Sequence, residues 1–341
     1  MTSPTLTRRT LIGAGVALAA APALARADTV TPRIRRFAPG LDRVLDPAQP
    51  IETIATGIQW AEGPVWVRRG GYLLFSDPPA NVMRRWSRKG GVSEFLRPSG
   101  LPDPDPKTIR EPGSNGMAID AQGRLIVADS GSRALVRVDL ATRKRTVLTD
   151  RFQGKRFNSP NDVHVARSGA IYFTDPPYGL AGVEQSPLRE LAHAGIYRWT
   201  ADGRVVLLDA ALSFPNGIAL SPDERQLFVS VSDPAAPRVM VYELGPDGLP
   251  RGGGRLWYDA APLAGKDVPG LPDGMKIAPD GTHFQSLPGG MGIFTPDAQL
   301  LGRIETGFPV ANCAFGEDGR TLFCTANDRV LRLRLRISGW R

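Results

Sequence analysis

Six side chains able to offer a hard oxygen stand at one recurring place in this sequence. They are Glu62, Asn115, Asn161, Asn216, Asp273 and Asn312. Each opens a similar unit: a polar residue beside Gly or Pro, a short apolar run, a polar turn, then a second apolar run. Residues 214–232, FPNGIALSPDERQLFVSVS, give the clearest copy. Two of the six are carboxylates, Glu62 and Asp273, which together balance a divalent cation. The amides add neutral oxygens, and such a set suits Ca²⁺ or Mg²⁺. Asn and Asp before Gly are also ordinary turn formers. Turn chemistry accounts less well for Glu62, a weak turn former in the same place.

Successive members of the set are 53, 46, 55, 57 and 39 residues apart. Short strands recurring at that spacing are the signature of a propeller, one blade per repeat. The expected fold is therefore all-β: a six-bladed β-propeller with four-stranded blades, occupying residues 51–341 as one domain. The innermost strand of each blade lines the central channel, so residues that start these strands gather at one mouth. Blades one to five each supply four strand-like runs. Blade six supplies only three, at 313–315, 322–325 and 330–335. The alternating segment 51–56 is expected to supply its missing outer strand, which closes the ring and removes an exposed edge. Residues 28–50, polar and Pro-rich, are read as an N-terminal extension wrapping the outside.

Residues 1–27 carry Arg8-Arg9 ahead of an apolar run and end in Ala25-Arg26-Ala27. This reads as a Tat-type export signal, with the Tat export machinery as partner and a periplasmic or secreted destination. No apolar run in the mature chain is long enough to span a bilayer. The 42 basic and 34 acidic residues give a net charge of +8; loss of Arg8, Arg9 and Arg26 leaves +5. That excess is scattered, without aromatic-basic interleaving or a nucleic-acid module, so nucleic acid is not an expected partner. Cys313 and Cys324 flank a turn and face each other across it. In that register they form a hydrogen-bonded pair whose geometry fits a disulfide poorly, so two free buried thiols are expected.

Loops at the mouth would shape a substrate site. The lead-in to blade two, residues 98–113, is long and Pro-rich and reads as a partial lid or a loose surface loop. Residues 175–180 (DPPYGL) link two strands of blade three. Arg156 and Tyr178, with Asn115 and Asn161, are the candidate substrate contacts, suited to a polyhydroxylated or anionic small molecule.

The motifs EGPVW, SNGMAID, KRFNSPNDV, YFTDPPYGL, FPNGIALSPD, GLPDGMKI, GRIETG and ANCAFG follow one another in this order. Together they resemble the gluconolactonase branch of the family that includes regucalcin, the senescence marker protein. The resemblance implies a six-bladed propeller, one divalent ion at the axis and hydrolysis of sugar lactones. It implies Glu62, Asn216 and Asp273 as metal ligands, with Asn161 close to metal and substrate. The ion expected is Ca²⁺, with Mg²⁺, Mn²⁺ or Zn²⁺ as alternatives. Two departures fall at the mouth: Ala128-Asp129-Ser130 replaces a Glu or His pattern in blade two, and Ser159 stands where regucalcin has Arg.

Lactone opening needs a polarised carbonyl and an activated water. Asp273 is the expected general base, because Asn161 and Asn216 cannot take a proton. Serine catalysis is disfavoured: there is no G-x-S-x-G elbow, and the chain has three His. Two other functions fit the same residues. One is a metal-dependent aryl-esterase or phosphotriesterase. The other is a non-catalytic periplasmic propeller that binds calcium or a ligand.

Overall fold

The structure is a computed structural model and describes residues 31–340. The expected export signal, residues 1–27, lies outside them. The regular structure of the described residues is almost entirely strand, in six antiparallel sheets that form the six blades of a propeller, with one extra two-stranded hairpin. The innermost strands are Glu62–Val67, Ser114–Ile119, Val163–Val165, Pro215–Leu220, Met275–Ile277 and Val310–Gly316.

The second strand of each blade is covered on both faces, because blade packs against blade. Leu125–Asp129 and Ile171–Asp175 are buried at every position, and they read as continuous apolar runs rather than alternating ones. The core therefore lies between blades. Phe323 of blade six, for example, stacks on Trp66 of blade one at 5.6 Å and lies 5.6 Å from Trp86. The outermost strands, such as Arg145–Thr149, face solvent.

The ring closes as the alternation of residues 51–56 predicts. Glu52–Ala55 pairs antiparallel with Arg329–Arg334 and completes blade six, with Glu52 opposite Arg332 and Thr53 opposite Leu331. Arg332, 5% exposed, holds this seam with ion pairs of 2.7 Å to both Glu52 and Glu317. The described part of the expected extension, residues 31–50, does more than wrap the outside. Arg33–Arg36 adds a fifth strand to blade five, against Leu300–Glu305. Its pairing rests on Arg33 and Arg35 flanking Glu305, at 2.8 and 3.6 Å. A single turn of helix, Leu41–Val44, then buries Leu41 and Val44 in the core shared by blades five and six. Cys313 and Cys324 sit directly opposite each other, buried and unbonded.

The residue after each candidate ligand has a packing role. A Cβ on Gly63 would lie 2.0 Å from the carbonyl oxygen of Asn115, and one on Gly217 would lie 2.3 Å from that of Asp273. Glycine there lets the start of each innermost strand touch the next one around the ring. The strands bulge at the same place, as between Glu62 and Val65 and between Pro215 and Ile218. The Glu-Gly and Asn-Gly pairs thus record the close approach of neighbouring blades as well as turn chemistry.

Candidate active site at the channel mouth

Five of the six oxygen-bearing residues line one cavity of about 460 Å³. These are Glu62, Asn115, Asn161, Asn216 and Asp273. The sixth, Asn312, is not in its wall. Its Oδ1 instead accepts from its neighbour Cys313 N (2.8 Å) and from Lys276 Nζ (3.3 Å), below the mouth. The expectation that all six gather at one mouth is corrected: five line its cavity and Asn312 does not.

Backbone and hydroxyl contacts hold these residues in place. Ser76 Oγ donates to the Asn115 carbonyl at 2.8 Å, Thr174 Oγ1 to that of Asn216 at 2.7 Å, and Ser230 Oγ to that of Asp273 at 2.6 Å. Each donor is the penultimate residue of the second strand of the preceding blade, so neighbouring blades are laced together at the level of the site. Asn216 Nδ2 donates to Ser232 Oγ at 2.9 Å, which in turn donates to the Pro272 carbonyl at 2.5 Å. Ser232 thereby orients the Asn216 amide, leaving its Oδ1 for the cavity, and fixes the residue before Asp273. Glu62 is held through Oε2, which accepts Gly63 N at 2.9 Å, and through Oε1, 3.4 Å from Trp60 Nε1. Asp77, fully buried, anchors Trp60 by accepting its backbone N–H at 3.2 Å.

The electrostatics are those of a site short of positive charge. Burial first, then the charges of Asp162 and Glu111, push Glu62 up to about 8. Burial, then Glu62 and Asp162, raise Asp273 well above the usual carboxylate range. Asp162 takes the place that Gly holds in four of the blades. Its oxygens accept Val163 N (2.9 Å) and Ile218 N (3.2 Å). Among the described residues no three His, Cys, Asp or Glu side chains cluster as metal ligands. The donors here are two carboxylates and amides, an all-oxygen set that fits a hard divalent ion and would be relieved by one.

A second cavity of about 480 Å³ adjoins the first. It shares Trp60, Arg110, Tyr178, Asn216 and Asp273, and adds Phe214, Leu271 and Val310. Tyr178 stacks on Phe214 with centroids 5.9 Å apart and planes 5° from parallel. A larger cavity, about 580 Å³, lies between the far-side turns of blades three and four and contains none of these residues.

Comparison with known proteins places this arrangement. Residues 60–328 match the SMP-30/Gluconolactonase/LRE-like region. The chain belongs to the SMP-30/gluconolactonase/LRE-like family. A gluconolactonase of Zymomonas mobilis is 51% identical over 90% of this chain and 87% of its own length. The structure of a gluconolactonase from Xanthomonas campestris is 32% identical, with a TM-score of 0.75 over 89% of this chain and 95% of that one. A calcium-binding regucalcin from Agrobacterium tumefaciens is 18% identical, with a TM-score of 0.65 over 83% and 94%. At that identity it shows the fold alone.

The residues that the family resemblance implies as ligands, Glu62, Asn216 and Asp273, share the cavity with Asn161, Asn115 and Tyr178. Arg156 does not join them. It lies on the strand Lys155–Arg156 and donates through Nη2 to the Ser132 carbonyl at 2.6 Å. It lines neither cavity. Although close to Asn161 in sequence, it sits on a hairpin that carries its side chain to Ser132 of blade two. Residues not singled out from sequence also line the cavities: Trp60, Arg110, Glu111 and Ser232. Ser232 could have been found from its SVS run, where hydroxyls end a strand that otherwise reads apolar.

Proposed function

We propose that this protein is a metal-dependent lactonase that opens sugar lactones of the aldonolactone class. The observation that carries the reading is the convergence of Glu62, Asn161, Asn216 and Asp273 on one cavity, with two carboxylates short of a counter-charge. The 51% identity to a protein named gluconolactonase supports the substrate class. Glu62, Asn216 and Asp273 would hold the ion, with Asn161 beside it. A divalent ion, Ca²⁺ foremost, supplies Lewis acidity towards a carbonyl and lowers the pKa of water. Asp273 accepts the proton of the attacking water as the new C–O bond forms. It returns that proton to the ring oxygen as the lactone C–O bond breaks, giving the hydroxy acid. Asn115 and Asn161 orient the substrate through hydrogen bonds, and the Tyr178–Phe214 stack gives its ring an apolar surface.

The test is a panel of aldonolactones, aryl esters and phosphotriesters, assayed on metal-stripped protein with Ca²⁺, Mg²⁺, Mn²⁺ and Zn²⁺ added back. Turnover of aldonolactones ahead of the other two classes is expected. One observation favours an aryl-ester reading: the adjoining cavity is walled by Trp60, Tyr178, Phe214 and Leu271. Aryl esters outpacing every lactone would establish that reading instead.

Export completes the proposal. Arg8-Arg9 and the apolar run after it support a periplasmic or secreted protein. A reporter fused behind residues 1–30 should leave the cytoplasm, and should fail to do so when both arginines are Lys.

A further inference from the structure

We propose that Arg110, paired with Glu111, is the residue that makes the site select hydroxylated lactones over unsubstituted ones. This rests on the lactonase reading above and adds a specificity element to it.

Arg110 stands on the 98–113 loop, and that loop is tied down. The backbone N–H groups of Arg110 and Glu111 both donate to the Gly179 carbonyl, at 2.8 and 3.1 Å. Ile109 bridges to Leu180 and both are buried; Ala181 N donates to the Thr108 carbonyl at 2.9 Å. The lead-in loop of blade two is thereby pinned to the loop of blade three that carries Tyr178. It forms a fixed wall of the site.

From that wall Arg110 reaches both cavities, and it is the one basic residue among the described residues that line either of them. Its Nη2 donates to Glu111 Oε1 at 2.6 Å, and its side chain is 53% exposed against 14% for Glu111. Glu111 thus acts as the anchor, and it also lines the cavity with Glu62 and Asp273. A guanidinium carries five N–H donors and no acceptor. One is committed to Glu111, and the half-exposed guanidinium lines both cavities with donors beyond that one. Glu111 Oε2 remains an acceptor in the same wall. A donor fork beside a carboxylate oxygen suits neighbouring hydroxyls, each of which both gives and accepts a hydrogen bond. A bare hydrocarbon ring offers neither and leaves the pair unmatched.

The test compares D-glucono-δ-lactone with δ-valerolactone, which has the ring and no hydroxyls, at saturating Ca²⁺. R110A and R110K are measured beside the wild type. R110A is expected to lower kcat/KM for gluconolactone by about 10- to 100-fold more than for valerolactone, mostly through KM, the weight of hydrogen bonds to a charged group. R110K should recover part of that selectivity, since Lys keeps the charge and loses the fork. Equal loss on both substrates, or an unchanged ratio, overturns the assignment while the lactonase reading stands. A wild-type protein that opens neither lactone overturns the lactonase reading and this inference with it.

Discussion

At the scale of residues, the proposal gives the two carboxylates of the site different work. Glu62 has both oxygens engaged, by Gly63 N and Trp60 Nε1, in a turn that Pro64 stiffens. In the reading proposed above its role is charge and coordination. Asp273 lines the same cavity and is the proposed proton acceptor. Asp273→Asn keeps an oxygen ligand and removes the base. We expect it to retain metal binding and to lose turnover by roughly 10²-fold or more. Glu62→Gln should weaken metal affinity, and excess metal should restore part of its rate. Plots of kcat against metal concentration separate the two: saturating metal that restores Asp273→Asn to near the wild-type rate would remove Asp273 as base. Ser232 acts through others, by orienting Asn216 and bracing Pro272. Ser232→Ala should therefore weaken metal binding by about tenfold, the weight of one net hydrogen bond, and Ser232→Thr should retain most of it. Calorimetric titration reads both, and equal affinity in Ser232→Ala and wild type would contradict the positioning role.

At the scale of elements, the site is a by-product of how blades meet. Close approach at Gly63 and Gly217 brings the carbonyl of the next marker, Asn115 or Asp273, against the strand of the preceding blade, and hydroxyls of the preceding blades, Ser76, Thr174 and Ser230, hold the carbonyls of Asn115, Asn216 and Asp273. Arg332 is buried between Glu52 and Glu317, and Glu317 also takes a two-pronged bond from Arg88 of blade one, at 2.7 and 3.0 Å. Arg332→Ala removes a buried partner from the largely buried Glu317 carboxylate, and should cost about 3 kcal/mol in urea unfolding. A loss below about 0.5 kcal/mol, the range of ordinary surface changes, would show that the seam does not depend on that pair. The repeat made the blades and the closing strand legible in sequence, because apolar runs and polar turns recur with one register. Glu62, Asn161, Asn216 and Asp273 were legible for the same reason. What lay beyond sequence was decided by contacts between distant loops. Arg110 enters the site because Gly179 captures its backbone, Arg156 leaves because a hairpin turns it to Ser132, and Asn312 turns down to Lys276. The fifth strand at Arg33–Arg36 escaped for a related reason: it is a short, basic edge whose partner is Glu305.

At the scale of the whole molecule, packing between blades encloses groups that titrate. His283 is 2% exposed, with Phe228 and Trp257 each 4.4 Å from its ring. Burial lowers its pKa to about 3. As pH falls through the ordinary value of 6.5 the unfolded chain takes up this proton and the folded chain does not. The stability contributed by neutral His283 is therefore complete above pH 6.5 and declines towards pH 3. His283→Phe removes that slope. Between pH 7.5 and 5 the wild type should lose about 2 kcal/mol relative to the variant, from roughly 1.4 kcal/mol per pH unit below 6.5. Chemical denaturation of both at the two pH values measures it, and parallel stability curves would contradict a neutral, enclosed imidazole.

The most direct measurement is made on the intact propeller stripped of metal. Ca²⁺ is titrated in while binding is followed by calorimetry and D-glucono-δ-lactone opening is followed by acid release. We expect negligible turnover without metal, one ion bound per chain, and a rate that rises with occupancy and saturates with it. Full turnover by the stripped protein, or a bound ion without turnover of any lactone, would contradict a metal-dependent lactonase at this mouth.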